Sequence, residues 1–90
     1  MNTPINFTTE IWQEGAHVVA WTPELDVSSM GTTVDEARKN LREAVEFFLE
    51  ETEKMGTTQE ILEESGYTRD TTGWRAPERL VFEKMSIAVS

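Results

Sequence analysis

The chain has 90 residues and no cysteine, and 17 acidic side chains against 8 Lys and Arg leave it a net charge of −9. Disulfides, thiolate catalysis and cysteine-ligated zinc are thereby excluded. The acidity argues against nucleic-acid phosphates as the main partner, so direct DNA binding is not expected, whereas a basic protein could be drawn in by charge. One small domain, residues 1–90, fits this length, and a chain so short buries only about 60–65% of its unfolded surface. No apolar run approaches the roughly 20 residues needed to cross a bilayer, and Met1-Asn2-Thr3-Pro4 lacks the basic and apolar regions of a signal peptide. A cytoplasmic chain with no membrane contact is expected.

Residues 5–12 alternate. Ile5, Phe7, Thr9 and Ile11 face one way and Asn6, Thr8, Glu10 and Trp12 the other, as in a half-buried strand. Gln13-Glu14-Gly15 reads as a turn, and His17 to Thr22 as the second strand of a hairpin. Pro23-Glu24 interrupts it, and Leu25 to Met30 forms a weaker third strand.

The strongest local signal follows. Thr33 caps a helix running from Val34 to about Lys54, with Glu36 three residues on in capping-box position. Val34, Ala37, Leu41, Ala44, Val45, Phe48, Leu49 and Met55 recur at helical spacing. Gly31 lets the chain turn into this helix and Gly56 ends it. A short second helix spans Thr57 or Thr58 to Ser65, stopped by Gly66, and residues 67–78 read as a polar loop carrying Trp74. Arg79 to Val89 is expected to be a fourth strand, with Val81, Met85, Ile87 and Val89 on one face and Leu80, Phe82 and Ala88 on the other.

The order is β-β-β-α-α-β. The expected fold is a two-layer α+β domain: a three-stranded antiparallel meander with the long helix across one face. The C-terminal strand would return by a right-handed crossover to lie parallel to the first. The other face of the sheet stays open.

At Gly15-x-x-Val18-Val19-Ala20-x-x-Pro23-Glu24-Leu25, and then Gly31-x-Thr33-x-x-Glu36-Ala37-x-x-Asn40-Leu41-x-Glu43-Ala44, the chain resembles the HicB antitoxin family. Gly66-Tyr67 and Trp74-x-x-Pro77-Glu78 resemble its small stand-alone members. The resemblance implies a partial RNase H-like fold without nuclease activity, and a partner: a small basic ribonuclease toxin of the HicA type. Many members add a C-terminal DNA-binding domain. Here the expected last strand ends one residue before Ser90, so no such domain is expected.

Site chemistry is sparse. A triad of His17, Asp26 and Ser28 or Ser29 has no supporting spacing motif. Glu10, Glu24 and Asp26 are the nearest carboxylates for an RNase H-type metal site, but they are scattered in sequence. No catalytic residue, metal or cofactor is expected. Two features point to binding instead. From Glu43 to Glu64 eight glutamates stand against Lys54 alone. They oppose the macrodipole of the helix C-terminus, and Glu46 and Glu50 repel at i,i+4 while Glu50–Lys54 compensates in part. Glu46, Glu50 and Glu53 are the candidates on this face, which either meets a basic partner or is merely solvated.

The second feature is the tryptophans. Trp12 and Trp21 fall on the open sheet face, to be covered by a partner, by another subunit, or by residues 67–78 folding back with Trp74. The fourth strand, at a sheet edge, could also pair with a second copy, giving a homodimer or higher homo-oligomer. The leading expectation is a HicB-like antitoxin or relative. The alternatives are an oligomeric accessory protein without a toxin and a residual RNase H-like hydrolase.

Overall fold

The computed structural model describes residues 4–90; Met1–Thr3, read above for a leader, lie outside the described residues. Strands β1 (Glu10–Glu14), β2 (His17–Thr22) and β3 (Val27–Gly31) form an antiparallel meander in the order β1-β2-β3. Glu14 pairs with His17 across a two-residue turn, in which Gly15 at φ 60° supplies the positive dihedral that a tight hairpin needs at its first central position. The first strand therefore runs through the residues expected to turn, and residues 4–9 lie outside the ladder. Asp26 takes φ 52° to close the second turn.

Helix α1 (Val34–Met55) begins and ends on its sequence signals. The Thr33 hydroxyl accepts from the Glu36 N–H at 3.1 Å. The reciprocal bond is displaced by one residue, since Glu36 accepts from the N–H of Thr32 at 2.8 Å rather than from that of Thr33. Gly56 at φ 72° closes a Schellman motif: its N–H reaches Glu53 and the Thr57 N–H reaches Thr52 at 2.9 Å. The short helix α2 (Thr58–Glu64) ends the same way, with Gly66 at φ 92° and the Tyr67 N–H on the Leu62 carbonyl.

The core lies between α1 and the inner sheet face. Val18, Ala20, Leu25, Ala37, Leu41, Val45, Leu62 and Tyr67 are buried together, with Phe7, Ile11, Phe48 and Leu49 packed around them. Register explains the choice: Ile11, Ala20 and Ser29 are aligned across the sheet, as are Gln13, Val18 and Gly31, and these rows face the helix. Val34 and Met55, at the ends of the apolar stripe, remain 48% and 71% exposed because the helix overhangs the sheet.

Gly31 serves close packing rather than chain reversal. A Cβ there would stand 2.8 Å from the Ala37 backbone nitrogen and 2.9 Å from the Glu36 side chain. The helix can settle onto β3 only over a bare backbone, and the Asn40 amide then donates to the Met30 carbonyl at 2.9 Å. Gly31→Ala is expected to cost about 1–3 kcal/mol, because the clash is with backbone that cannot rotate away. Urea unfolding checks this.

Residues 4–9 are pinned at two points. Tyr67, 2% exposed, donates its hydroxyl to the Asn6 carbonyl, and Glu24 accepts from the N–H of Thr8 at 2.9 Å and from its hydroxyl. Burial, and secondarily the Glu24 charge, push the Tyr67 phenol from an ordinary 10.0 up to about 12. A raised acid pKa means that the folded state holds the proton more tightly. Its stabilising contribution is complete below about pH 10 and is lost as pH climbs through about 12. Tyr67→Phe is expected to cost about 1 kcal/mol at neutral pH and to flatten this alkaline limb in a pH series of thermal unfolding.

Two expectations fail after Gly66. The loop at 67–78 contains a small hairpin, β4 (Thr68–Asp70) and β5 (Gly73–Arg75). It is closed by Asp70, whose carboxylate accepts from the N–H and hydroxyl of Thr72 and from the Gly73 N–H, and pairs with Arg75 at 2.9 Å. Those hydrogen bonds from Thr72 hold the Asp70 carboxyl below its usual range. The fourth strand expected over Arg79–Val89 does not form. The segment has the alternation of a strand, but among the described residues no strand lies beside it to complete a ladder, and residues 77–90 are exposed throughout.

Candidate interaction surface

Sheet register places Trp12, Val19 and Met30 in one row and Glu10, Trp21 and Ser28 in the next, all on the face away from α1. Trp12 and Trp21 meet edge to face, with ring centroids 6.5 Å apart and planes at 78°, the geometry that the ring quadrupole favours. The Trp21 indole N–H donates to Asp26 at 2.9 Å, which leaves its ring as an apolar wall. Together with Glu14, all of these but Glu10 line a shallow depression of about 520 Å³. Trp12 is 41% exposed and Met30 53%. The chemistry is an apolar centre with an acidic rim formed by Glu14 and Asp26, while Glu10, in the neighbouring row, pairs with Arg79.

The six residues singled out from sequence fall on three separate surfaces. Trp12 and Trp21 share the open sheet face. Trp74 does not fold back onto them. Its hairpin packs against the core beside the helices, the Arg69 guanidinium lies 5.4 Å from its ring centroid, and it shares a groove of about 300 Å³ with Glu53. Glu46 and Glu50 flank a third groove, of about 610 Å³, walled by Ile5, Phe7, Val45 and Leu49. The acidic stretch is also less bare than it reads in sequence. Arg42 lies 3.4 Å from Glu46, and Lys54 pairs at 3.7 Å with Glu51 rather than with Glu50. Such exposed pairs contribute little.

The residues weighed for catalysis are kept apart. His17 opens β2 and Asp26 follows its far end, about 17 Å of strand away. Ser28 and Ser29 project to opposite faces. Of the three carboxylates, Glu24 is held on the helix side by Thr8 and Thr22, Asp26 by the Trp21 indole, and Glu10 lies 3.4 Å from Arg79. Burial raises the Glu24 pKa, but the hydrogen bonds from Thr8 and Thr22 outweigh it, and the net shift is downward. Among the described residues no three His, Cys, Asp or Glu side chains converge as metal ligands, and no helix is long and apolar enough to cross a membrane.

Val19 joins Trp21 on the open face, as alternation from Val18 and Ala20 predicts, and Met30 belongs to the same patch although it was not singled out from sequence. The signal for Met30 was available: once Val19 points outward, the antiparallel register brings Met30 beside it. Compared with protein-family models, with curated proteins and with solved structures, the chain matches none.

Proposed function

We propose that this chain is a HicB-like binding module, an antitoxin or a relative of one, which works in the cytoplasm and masks a small basic ribonuclease of the HicA type without catalysing a reaction. The observation that carries the reading is the tryptophan pair on an open sheet face, rimmed by Glu14 and Asp26. Aromatic centres with charged rims are what protein interfaces use for affinity and for steering, and a net charge of −9 favours a basic partner. The order of the HicB-like motif residues supports it too: Gly31 permits the helix to dock, Thr33 caps it and Asn40 ties it to β3. On this reading the meander and α1 are the part of an RNase H-like fold that remains.

The test is co-purification with a basic HicA-type ribonuclease followed by an RNA-cleavage assay. A stable complex whose cleavage activity is suppressed, and whose affinity falls with salt, is expected. If the folded chain neither binds such ribonucleases nor protects RNA from them, the proposal is wrong. A second reading, an oligomeric accessory protein without a toxin, is favoured by the bare apolar C-terminal segment.

A further inference from the structure

Residues 79–90 are the least reconciled part of the molecule. Leu80, Val81, Phe82, Met85, Ile87 and Val89 are between 71% and 91% exposed. The Cα radius of gyration is 15.4 Å, against about 12 Å for a compact chain of this length. Both rows of the alternating segment carry large apolar groups, the pattern of a strand covered on both faces rather than one lying half in water.

The sheet offers a place of that kind. β1 is an edge strand, paired only with β2, and among the described residues no side chain or loop bonds its backbone from outside. A strand added there would meet the Trp12 face on one side and the Phe7–Leu49 groove on the other. β3, the opposite edge, is already engaged by α1 through Asn40. Arg79 lies 3.4 Å from Glu10, so the segment leaves the body of the protein beside β1. Charge agrees: from Arg79 onward two bases face one acid in an otherwise acidic chain, while β1 carries Glu10 and Glu14.

We infer that residues 79–89 are an exchange strand, added to the outer edge of β1 in a second copy of this chain. The exchange is reciprocal and two-fold, so each copy covers the other's β1 edge and the assembly closes at two copies. Six large side chains buried from each copy remove surface on the order of the ~1,600 Å² of a standard stable interface. The inference does not depend on a toxin and is tested without one.

Sedimentation of the full chain at micromolar concentration is expected to give twice the chain mass. Phe82→Pro and Glu83→Pro delete backbone N–H groups on opposite edges of the segment, so at least one of them must break the added ladder. That variant is expected to sediment as a monomer with its helical circular dichroism intact, and the β1 amides are expected to exchange with solvent faster than in the parent chain. A monomeric parent overturns the inference, including one whose segment is protected by folding back on its own β1. So do a dimer that survives both prolines and a dimer whose loss leaves β1 exchange unchanged.

Discussion

Leu41→Ala is expected to destabilise the chain by about 2–5 kcal/mol, because the cavity it leaves cannot collapse. Leu41 is 1% exposed, one of the largest side chains fully enclosed, and it sits on α1 between Ala37 and Val45 against the inner sheet face. The neighbours that would have to move into the void are constrained. Ala20 and Ala37 are too small to reach, and the helix is already seated on the bare Gly31 backbone. A 90-residue domain has only about 5–13 kcal/mol to lose, and about 4–8 °C of Tm goes with each kcal/mol. Thermal unfolding of Leu41→Ala should therefore show a fall of at least about 8 °C. Val34→Ala, on the same helix but 48% exposed, should stay within about 0.5 kcal/mol of the parent chain. Equal losses in the two variants would show that α1 is not packed as described.

The second large effect is expected in binding. Trp12→Ala should weaken the proposed complex with a basic HicA-type ribonuclease by about 30-fold or more, the loss expected for an aromatic anchor at the centre of an interface. Trp12 leans against Trp21 on the outside of the sheet, 41% exposed, so its removal should change fold stability far less than that of Leu41. Phe47→Ala is the matched control: Phe47 is 64% exposed, but on α1 and away from the sheet face. Titration calorimetry of the two variants separates the surfaces. If Trp12→Ala binds as tightly as the parent chain while Phe47→Ala does not, the partner docks on the helix and the tryptophan face has another use.

Much of the fold was legible because its signals are short in range. The α1 caps depend on residues within one turn of each end, and the structure places Thr33 and Gly56 where their chemistry demands. The hairpin, the inner and outer rows of the sheet and the burial of Ala37, Leu41 and Val45 follow from periods of 2 and 3.6. The C-terminal strand failed for want of a distant partner, but two other errors were local and lay in turn chemistry. Glu14 was read as a turn residue, but the two-residue Gly15-Ala16 turn leaves it paired with His17. The β4–β5 hairpin was missed because its closure rests on the Asp70 side chain and three donors rather than on apolar alternation.

The candidate surface divides along the same line. That Trp12 and Trp21 share a face is a consequence of alternation and antiparallel register, and both can be counted along the chain. That Trp74 sits elsewhere, beside Glu53, is a tertiary outcome, because nothing within residues 67–78 specifies which side of the sheet they cover.

By itself the sequence determined that this is an α+β chain with a capped helix on a three-stranded meander, since propensity, capping and periodicity all act over a few residues. Only the tertiary structure decided which acids are paired, which tryptophans meet, and that residues 79–90 find no strand to pair with among the described residues. A strand exists only where a second backbone completes its hydrogen bonds, and the position of that backbone is not written in the alternation of the first.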